Sequence, residues 1–281
     1  MNNFQKFNKI SDCTSQLVTK QYSTSFYWAS SLFSREIRQH IYNIYGFVRF
    51  ADEIVDTFHD YDKQKLLNEF ERNYRETLED GISLNPVIQS FCRTQKENNI
   101  PQELVDAFLY SMKMDLGEIK DLNDELYNLY IYGSAEVVGL MCLKVFVKTQ
   151  EDYEKMKPYA QSLGAAFQKI NFLRDISADY NDLNRTYFPN VNFLDFSERE
   201  KAEIELNIKS DFEKALIGIK MLPLSSRSAV FMAYKYYISL FKKIKKQRAE
   251  TLMKSRIRVS NARKIYLMGE MLLTKNLYFI R

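Results

Sequence analysis

Few residues in this chain punctuate structure. Eight Gly and five Pro among 281 residues fall well below the roughly 12% the two supply together on average. An all-β fold, which needs many tight turns, is excluded. The three cysteines, Cys13, Cys92 and Cys142, lie far apart with no CxxC spacing. That excludes a disulfide framework and a cysteine zinc site, and suits a reducing cytosol. Two His in the whole chain make histidine triads and histidine metal centres poor expectations, so acid, base and metal work would fall to carboxylates, tyrosines and amides. The first ten residues, MNNFQKFNKI, lack the apolar core of a secretory signal. No window supplies the roughly 18 uninterrupted apolar residues of a membrane span. A cytoplasmic location is the expectation.

Aromatic residues are plentiful: 19 Tyr, 20 Phe and one Trp. With 46% hydrophobic and 27% charged residues the composition is globular. No linker-like stretch interrupts it, so residues 1–281 read as one domain, large enough to enclose a cavity. Helical patterns cover 12–21, 35–58, 62–79, 86–98, 101–116, 123–148, 152–181, 198–219, 224–254 and 259–278. Pro86, Pro101, Pro189 and Pro223 mark boundaries, and Pro158 should start or kink a helix. With no convincing strand and no repeat, the fold class is all-α, a helical bundle.

The net charge of +4 conceals an asymmetry, because between Lys235 and Lys264 the only acid is Glu250. Such a basic stretch fits a surface that meets anionic lipid or another polyanion. It fits equally the solvated face of a long helix. No nucleic-acid motif accompanies it, so no nucleic-acid partner is expected.

Two segments carry paired aspartates. In IYGFVRFADEIVD (44–56), Tyr45, Arg49, Asp52 and Asp56 fall within about 60° of helix face at 100° per residue. In QKINFLRDISAD (168–179), Gln168, Asn171, Asp175 and Asp179 share about 80°. Ala165, Phe172 and Ile176 fence that stripe on one side, Phe167 and Ala178 on the other. A polar stripe fenced by apolar residues turns inward, where it is costly unless partnered or metal-bound. Carboxylates at i and i+4 project together, and two such pairs on facing helices offer hard oxygen ligands. Mg²⁺ takes one or two carboxylates plus water and phosphate oxygens, and Arg49 and Arg174 supply cationic partners for phosphate. The pattern suits a magnesium-bridged diphosphate whose ionisation the metal promotes. Buried salt bridges, Arg49 with Asp52 and Arg174 with an acid, are the structural alternative.

The segments Arg49-Phe-Ala-Asp52-Glu-Ile-Val-Asp56 and Asn171-Phe-Leu-Arg174-Asp175-Ile-Ser-Ala-Asp179 resemble the two aspartate-rich motifs of the head-to-head isoprenoid synthases, the squalene, dehydrosqualene and phytoene synthases. Tyr22-Ser-Thr-Ser25-Phe26 resembles the family's N-terminal flap, and Tyr130-Ile-Tyr-Gly133-Ser-Ala-Glu-Val-Val-Gly139 its tyrosine–glycine helix. Arg185-Thr-Tyr187-Phe188-Pro189 resembles the segment that closes the site, and the likeness runs from about Tyr22 to Ala262. It implies an isoprenoid synthase bundle of the class I terpenoid synthase type around a central cavity. Two allylic diphosphates would join through a cyclopropylcarbinyl diphosphate. Asp52, Asp56, Asp175 and Asp179, with Asn171, would bind Mg²⁺, or Mn²⁺ in its place. Arg49, Arg174, Ser23, Ser25, Tyr45, Gln168 and Tyr187 would grip the diphosphates. Tyr130 would steady cations or assist proton removal, and Tyr237 is a candidate for the same pocket.

Carbocations need a dry chamber with aromatic faces. Phe26, Tyr45 and Tyr130 are assigned to it, while Phe47, Phe167 and Phe172 are assigned to ordinary core. Gly133, Gly139 and Gly164 would leave room either for a prenyl chain or for close helix packing. Glu136 departs from the family's small residues; it is expected to point outward as a solvated helix residue. The C-terminal Ile257-Arg-Val-Ser-Asn-Ala-Arg263 is similar to bacterial phytoene synthases, which makes two geranylgeranyl diphosphates the leading substrate pair. Dehydrosqualene or squalene synthesis from two farnesyl diphosphates is the alternative, with NADPH needed only for squalene.

Overall fold

The computed structural model describes residues 1–117, 122–183 (178–183 by backbone alone), 187–189, 191, 196–254, 256, 257 and 269. Among these every regular element is helical. The first four are α1 (Asn3–Tyr22), α2 (Thr24–Ser30), α3 (Arg35–Asp56) and α4 (Lys63–Asp80). Then come α5 (Pro86–Glu97), α6 (Gln102–Leu116), α7 (Asp124–Ile131), a π-helical turn (Tyr132–Glu136) and α8 (Val137–Phe146). The set ends with α9 (Gln150–Leu183), α10 (Glu198–Met221), α11 (Leu224–Lys245) and α12 (Ala249–Leu252).

Local chemistry explains most boundaries. Asn2 and Gln5 form a reciprocal capping box at α1, and Ser197 and Glu200 form another at α10; each satisfies two otherwise orphan N–H groups. Asn85 caps α5 with Pro86 in its first turn, and Gly81 closes α4 at φ +76°, a conformation that favours glycine. α1 begins nine residues before the expected position 12, because its first half is polar and largely exposed and so lacks an amphipathic signal. α2 was not among the expected helices; Ser23 caps it by accepting a hydrogen bond from the Phe26 N–H. The expected helix 224–254 breaks after Lys245. A turn there buries Ala249 and Leu252 and lets the Ala249 N–H donate to Glu198 at 2.7 Å. α9 begins eight residues before Pro158 and runs through it. The expected helix 259–278 lies outside the described residues, apart from 269.

Two helices organise the rest. α3 packs among α1, α4, α5, α6 and α8, while α9 packs among α8, α10, α11 and α12. Around α3 the core is aromatic: Phe47 is wholly buried and stacks on Phe91 at 4.0 Å, with Phe70, Tyr74 and Phe108 beside it. Its assignment to ordinary core holds. The stretch Asp124–Phe146 is long and apolar enough to cross a membrane by length and composition. Here it is divided into α7, the π-helical turn and α8; residues 124–129 are mostly exposed, while Tyr130, Ile131, Val137, Leu140, Met141 and Leu143 are buried.

At the π-helical turn the backbones of neighbouring helices come close together. A Cβ on Gly133 would stand 2.6 Å from the Ala107 carbonyl oxygen, and one on Gly164 would stand 2.6 Å from that of Ala135. Both glycines therefore serve helix packing. Gly133→Ala should destabilise the protein by about 1–3 kcal/mol through overpacking, even though alanine favours a helix by about 1 kcal/mol over glycine. A lowered thermal midpoint relative to wild type checks this.

Candidate active site

α3 and α9 face each other across a cavity of about 920 Å³. Its wall contains Ser23, Ser25, Phe26, Tyr45, Arg49, Asp52, Asp56, Tyr130, Gln168, Asn171, Arg174, Asp175, Tyr187 and Tyr237. Every site residue expected from sequence thus borders one space except Asp179, whose backbone lies in α9 and whose side chain is outside the described residues. Co-location does not assign the roles.

On the α3 side, Arg49 is paired with Asp52 and Glu53, and its guanidinium lies over the Tyr22 ring at 4.6 Å. Asp52 keeps 40% of its side-chain surface accessible, and it borders the cavity. Enclosure in the wall, and then the charge of Asp56 one turn on, push its carboxyl up to about 7. Tyr45 stacks on Phe26 at 4.9 Å, and burial pushes its hydroxyl up to about 12.

On the α9 side, Arg174 Nε donates to Asp175 at 2.9 Å. Arg256, beyond α12, reaches the same carboxylate with Nε at 2.6 Å. Asn171 accepts a hydrogen bond from Tyr237 at 3.3 Å, and Tyr237 stacks on Phe167 at 3.8 Å.

Deeper in the wall, Asp115 of α6 is buried, with 5% of its surface accessible. Tyr130 donates to its Oδ2 at 2.7 Å, and Tyr187 donates to Oδ1 at 3.4 Å. Burial, followed by the neighbouring Asp115 charge, holds the Tyr130 hydroxyl well above the usual phenol range. Phe172 stacks face to face on Tyr187 at 4.1 Å.

Two sequence expectations need correction. Phe167 and Phe172 border the cavity, because the stripe they fence is the cavity wall itself. Glu136 points away from the cavity, as expected, but is not freely solvated. It is half-buried and accepts a hydrogen bond from Gln161 at 2.8 Å, and burial raises its carboxyl. Gly139 and Gly164 border the cavity while also meeting backbone of the adjacent helix, so packing and room coincide there.

Two wall residues escaped the sequence reading. Asp115 continues the buried α6 stripe Leu104, Phe108 and Met112 at helical spacing, and a carboxylate on an otherwise apolar stripe was the available signal. Arg256 carried no local signal beyond its place in the basic stretch.

The residues fit a diphosphate and a hard cation. Arg49 Nε is buried with no hydrogen-bond partner among the described residues. Asp52 and Asp56 repel each other in the wall, a cost a divalent cation would relieve. No group of three or more His, Cys, Asp or Glu that could hold a metal ion occurs among the described residues. An open site with one or two carboxylates suits Mg²⁺ that keeps phosphate and water oxygens.

The model for the squalene/phytoene synthase family matches residues 19–263. Among similar proteins, the bifunctional lycopene cyclase/phytoene synthase of Phycomyces blakesleeanus is 29% identical over 200 residues, 61% of this chain and 32% of that protein. The 4,4'-diapophytoene synthase of Staphylococcus haemolyticus is 27% identical over 202 residues, 69% of this chain and 67% of that protein. The chain spans between 32% and 48% of the fungal bifunctional relatives it matches. A crystal structure of a ligand-bound dehydrosqualene synthase superposes with a TM-score of 0.83 at 22% identity, covering 97% of this chain and 98% of that one. That likeness establishes the fold.

The Asp52 carboxyl titrates near 3.8 when unperturbed and about 7 in the fold. Between about pH 4 and 7 the folded state therefore binds more protons than the unfolded one, and stability falls as pH rises through that window. In metal-free protein, thermal midpoints should decline from pH 5 to 7.5, and the decline should be shallower in Asp52→Asn. Parallel slopes would contradict the assignment.

Proposed function

This chain belongs to the squalene/phytoene synthase family, and from that premise we propose that it condenses two geranylgeranyl diphosphates head to head to phytoene. The observation that carries this reading is the pair of aspartate-bearing helices and two arginines around one cavity whose remaining wall is largely aromatic and aliphatic. Several relatives named as phytoene synthases support the C20 substrate; the relative named as a diapophytoene synthase supports the farnesyl alternative.

In this reading Asp52 and Asp56 on α3, and Asn171, Asp175 and Asp179 on α9, would hold magnesium (or manganese), whose charge would assist departure of the diphosphate. Arg49 and Arg174 turn from their aspartates to phosphate oxygens, for which a guanidinium fork is suited. Ser23, Ser25, Tyr45 and Gln168 orient the two head groups; the Tyr187 hydroxyl, expected to join them, is given to Asp115. Arg256, already at Asp175, adds a third cation. Phe26, Tyr45, Tyr130, Phe167 and Phe172 present π faces to positive charge and exclude water, which would otherwise quench the cation. NADPH enters only if the product is squalene.

The same reading keeps the protein cytoplasmic, with peripheral contact to anionic lipid through residues 235–264. Exposed Lys242, Lys243 and Lys246 at the end of α11 support that contact; residues 258–264 lie outside the described ones. Co-sedimentation with anionic vesicles, but not with neutral ones, is the expected result, and equal partition would refute it.

Incubation with Mg²⁺ and either geranylgeranyl or farnesyl diphosphate, with and without NADPH, should yield phytoene from the C20 substrate without reductant. Asp52→Ala and Asp175→Ala should each lower turnover more than about 100-fold and leave the helical circular dichroism intact. A C30 hydrocarbon alone would establish the farnesyl alternative, and wild-type rates in either variant would sink the metal assignment.

A further inference from the structure

The cavity wall holds four acids among the described residues: Asp52, Asp56, Asp115 and Asp175. Three lie on the two aspartate helices. Asp115 does not; it belongs to α6, which brings Phe108, Met112 and Asp115 to the wall at successive turns. It is buried to 5% and accepts the hydroxyl protons of two tyrosines from different parts of the chain, Tyr130 at 2.7 Å and Tyr187 at 3.4 Å. Burying a carboxylate is costly, and the magnesium–diphosphate reading gives this one no task.

The chemistry proposed above does present a task. Joining two prenyl diphosphates to phytoene releases two diphosphates and two protons, one proton for each half of the reaction, and the last is taken from a carbon next to an allylic cation. A neutral, deeply buried phenol is a weak base by itself. A phenol that can pass on its own proton while accepting another is a better one.

We propose that Asp115 is a positioning residue and proton sink that acts through Tyr130 in the deprotonation ending the reaction. The C–H bond breaks and its electron pair becomes the new C=C bond. The proton goes to Tyr130 Oη, while the hydroxyl proton of Tyr130 moves to Asp115 Oδ2. Tyr130 ends as a phenol and Asp115 as a carboxylic acid, which resets by giving its proton to departing diphosphate or solvent. The Tyr187 hydroxyl on Oδ1 fixes the carboxylate so that Oδ2 faces Tyr130. This inference rests on the prenyl-condensing reading of the same cavity.

The test is the ratio of hydrocarbon formed to diphosphate released, with Mg²⁺ and geranylgeranyl diphosphate as substrate. Asp115→Asn keeps size and one of the two acceptor oxygens but is a far weaker base. It should retain diphosphate release and substrate KM within about threefold, while the ratio falls about 100-fold or more, the range general-base catalysis supplies. The missing carbon should appear as cyclopropylcarbinyl diphosphate and water-quenched alcohols. Tyr130→Phe should shift the ratio the same way, and the double variant should be no worse than the more affected single one. Asp115→Glu, which restores a carboxylate, should recover part of it. An Asp115→Asn ratio equal to wild type overturns the proposal whether rates are normal or uniformly low, since a residue that only supports the fold lowers both quantities together. If the wild-type protein releases no diphosphate from any prenyl diphosphate, the functional reading falls as well, and that outcome is distinct.

Discussion

Negative charge gathered in a half-enclosed wall is the constraint on which the rest of this structure depends. Asp52 and Asp56 stand one turn apart on α3, and Asp175 faces them from α9 across the cavity. Burial first, and then the neighbouring Asp56 charge, push the Asp52 carboxyl up, a cost that a cation would relieve. The fold offsets it locally with Arg49, Arg174 and Arg256. These pairs are provisional in a physical sense. Each guanidinium that neutralises an aspartate is also a phosphate ligand, so a metal–diphosphate complex could exchange all partners at once without leaving a buried charge alone.

Holding two such walls in place needs long, stiff elements with few interruptions. α3 has 22 residues and α9 has 34, and each is packed along its length by neighbours. The aromatic cluster around Phe47 anchors α3 from behind, while Gly164 lets α9 press against the π-helical turn. A π-helical turn is a frequent feature of functional sites. Here it begins two residues after Tyr130 and contributes Ser134 and Ala135 to the cavity, so the packing and the site share one irregularity.

Helix periodicity made much of this legible. The fold class, the two aspartate faces and their apolar fences follow from residue spacing alone, because a helix turns spacing into direction. The motifs of the flap and the tyrosine–glycine helix joined those faces to one cavity. What stayed hidden was whatever spacing does not encode. Phe167 and Phe172 read as core because a wall and a core present the same apolar pattern to a sequence. The turn at residues 246–248 was invisible because what compensates it, the Glu198 carboxylate and the burial of Ala249 and Leu252, arrives from distant helices. The partial burial of Glu136 is hidden for a related reason: its hydrogen-bond partner Gln161 is 25 positions away.

The cavity is graded, and the grading bears on how one protein could run ionisation and deprotonation in the same space. Near the aspartate helices the wall is ionic and suited to leaving groups. Toward α6 and the π-helical turn it becomes aromatic, and its one described charge is a carboxylate hydrogen-bonded by two phenols. A bare carboxylate beside a carbocation would attack it and end the reaction as an ester. With Tyr130 and Tyr187 hydrogen-bonded to its oxygens, Asp115 contributes negative potential while each oxygen is engaged by a hydroxyl. That arrangement allows an anion to sit near a cation without bonding to it, and it offers a proton a route along the Tyr130 hydroxyl.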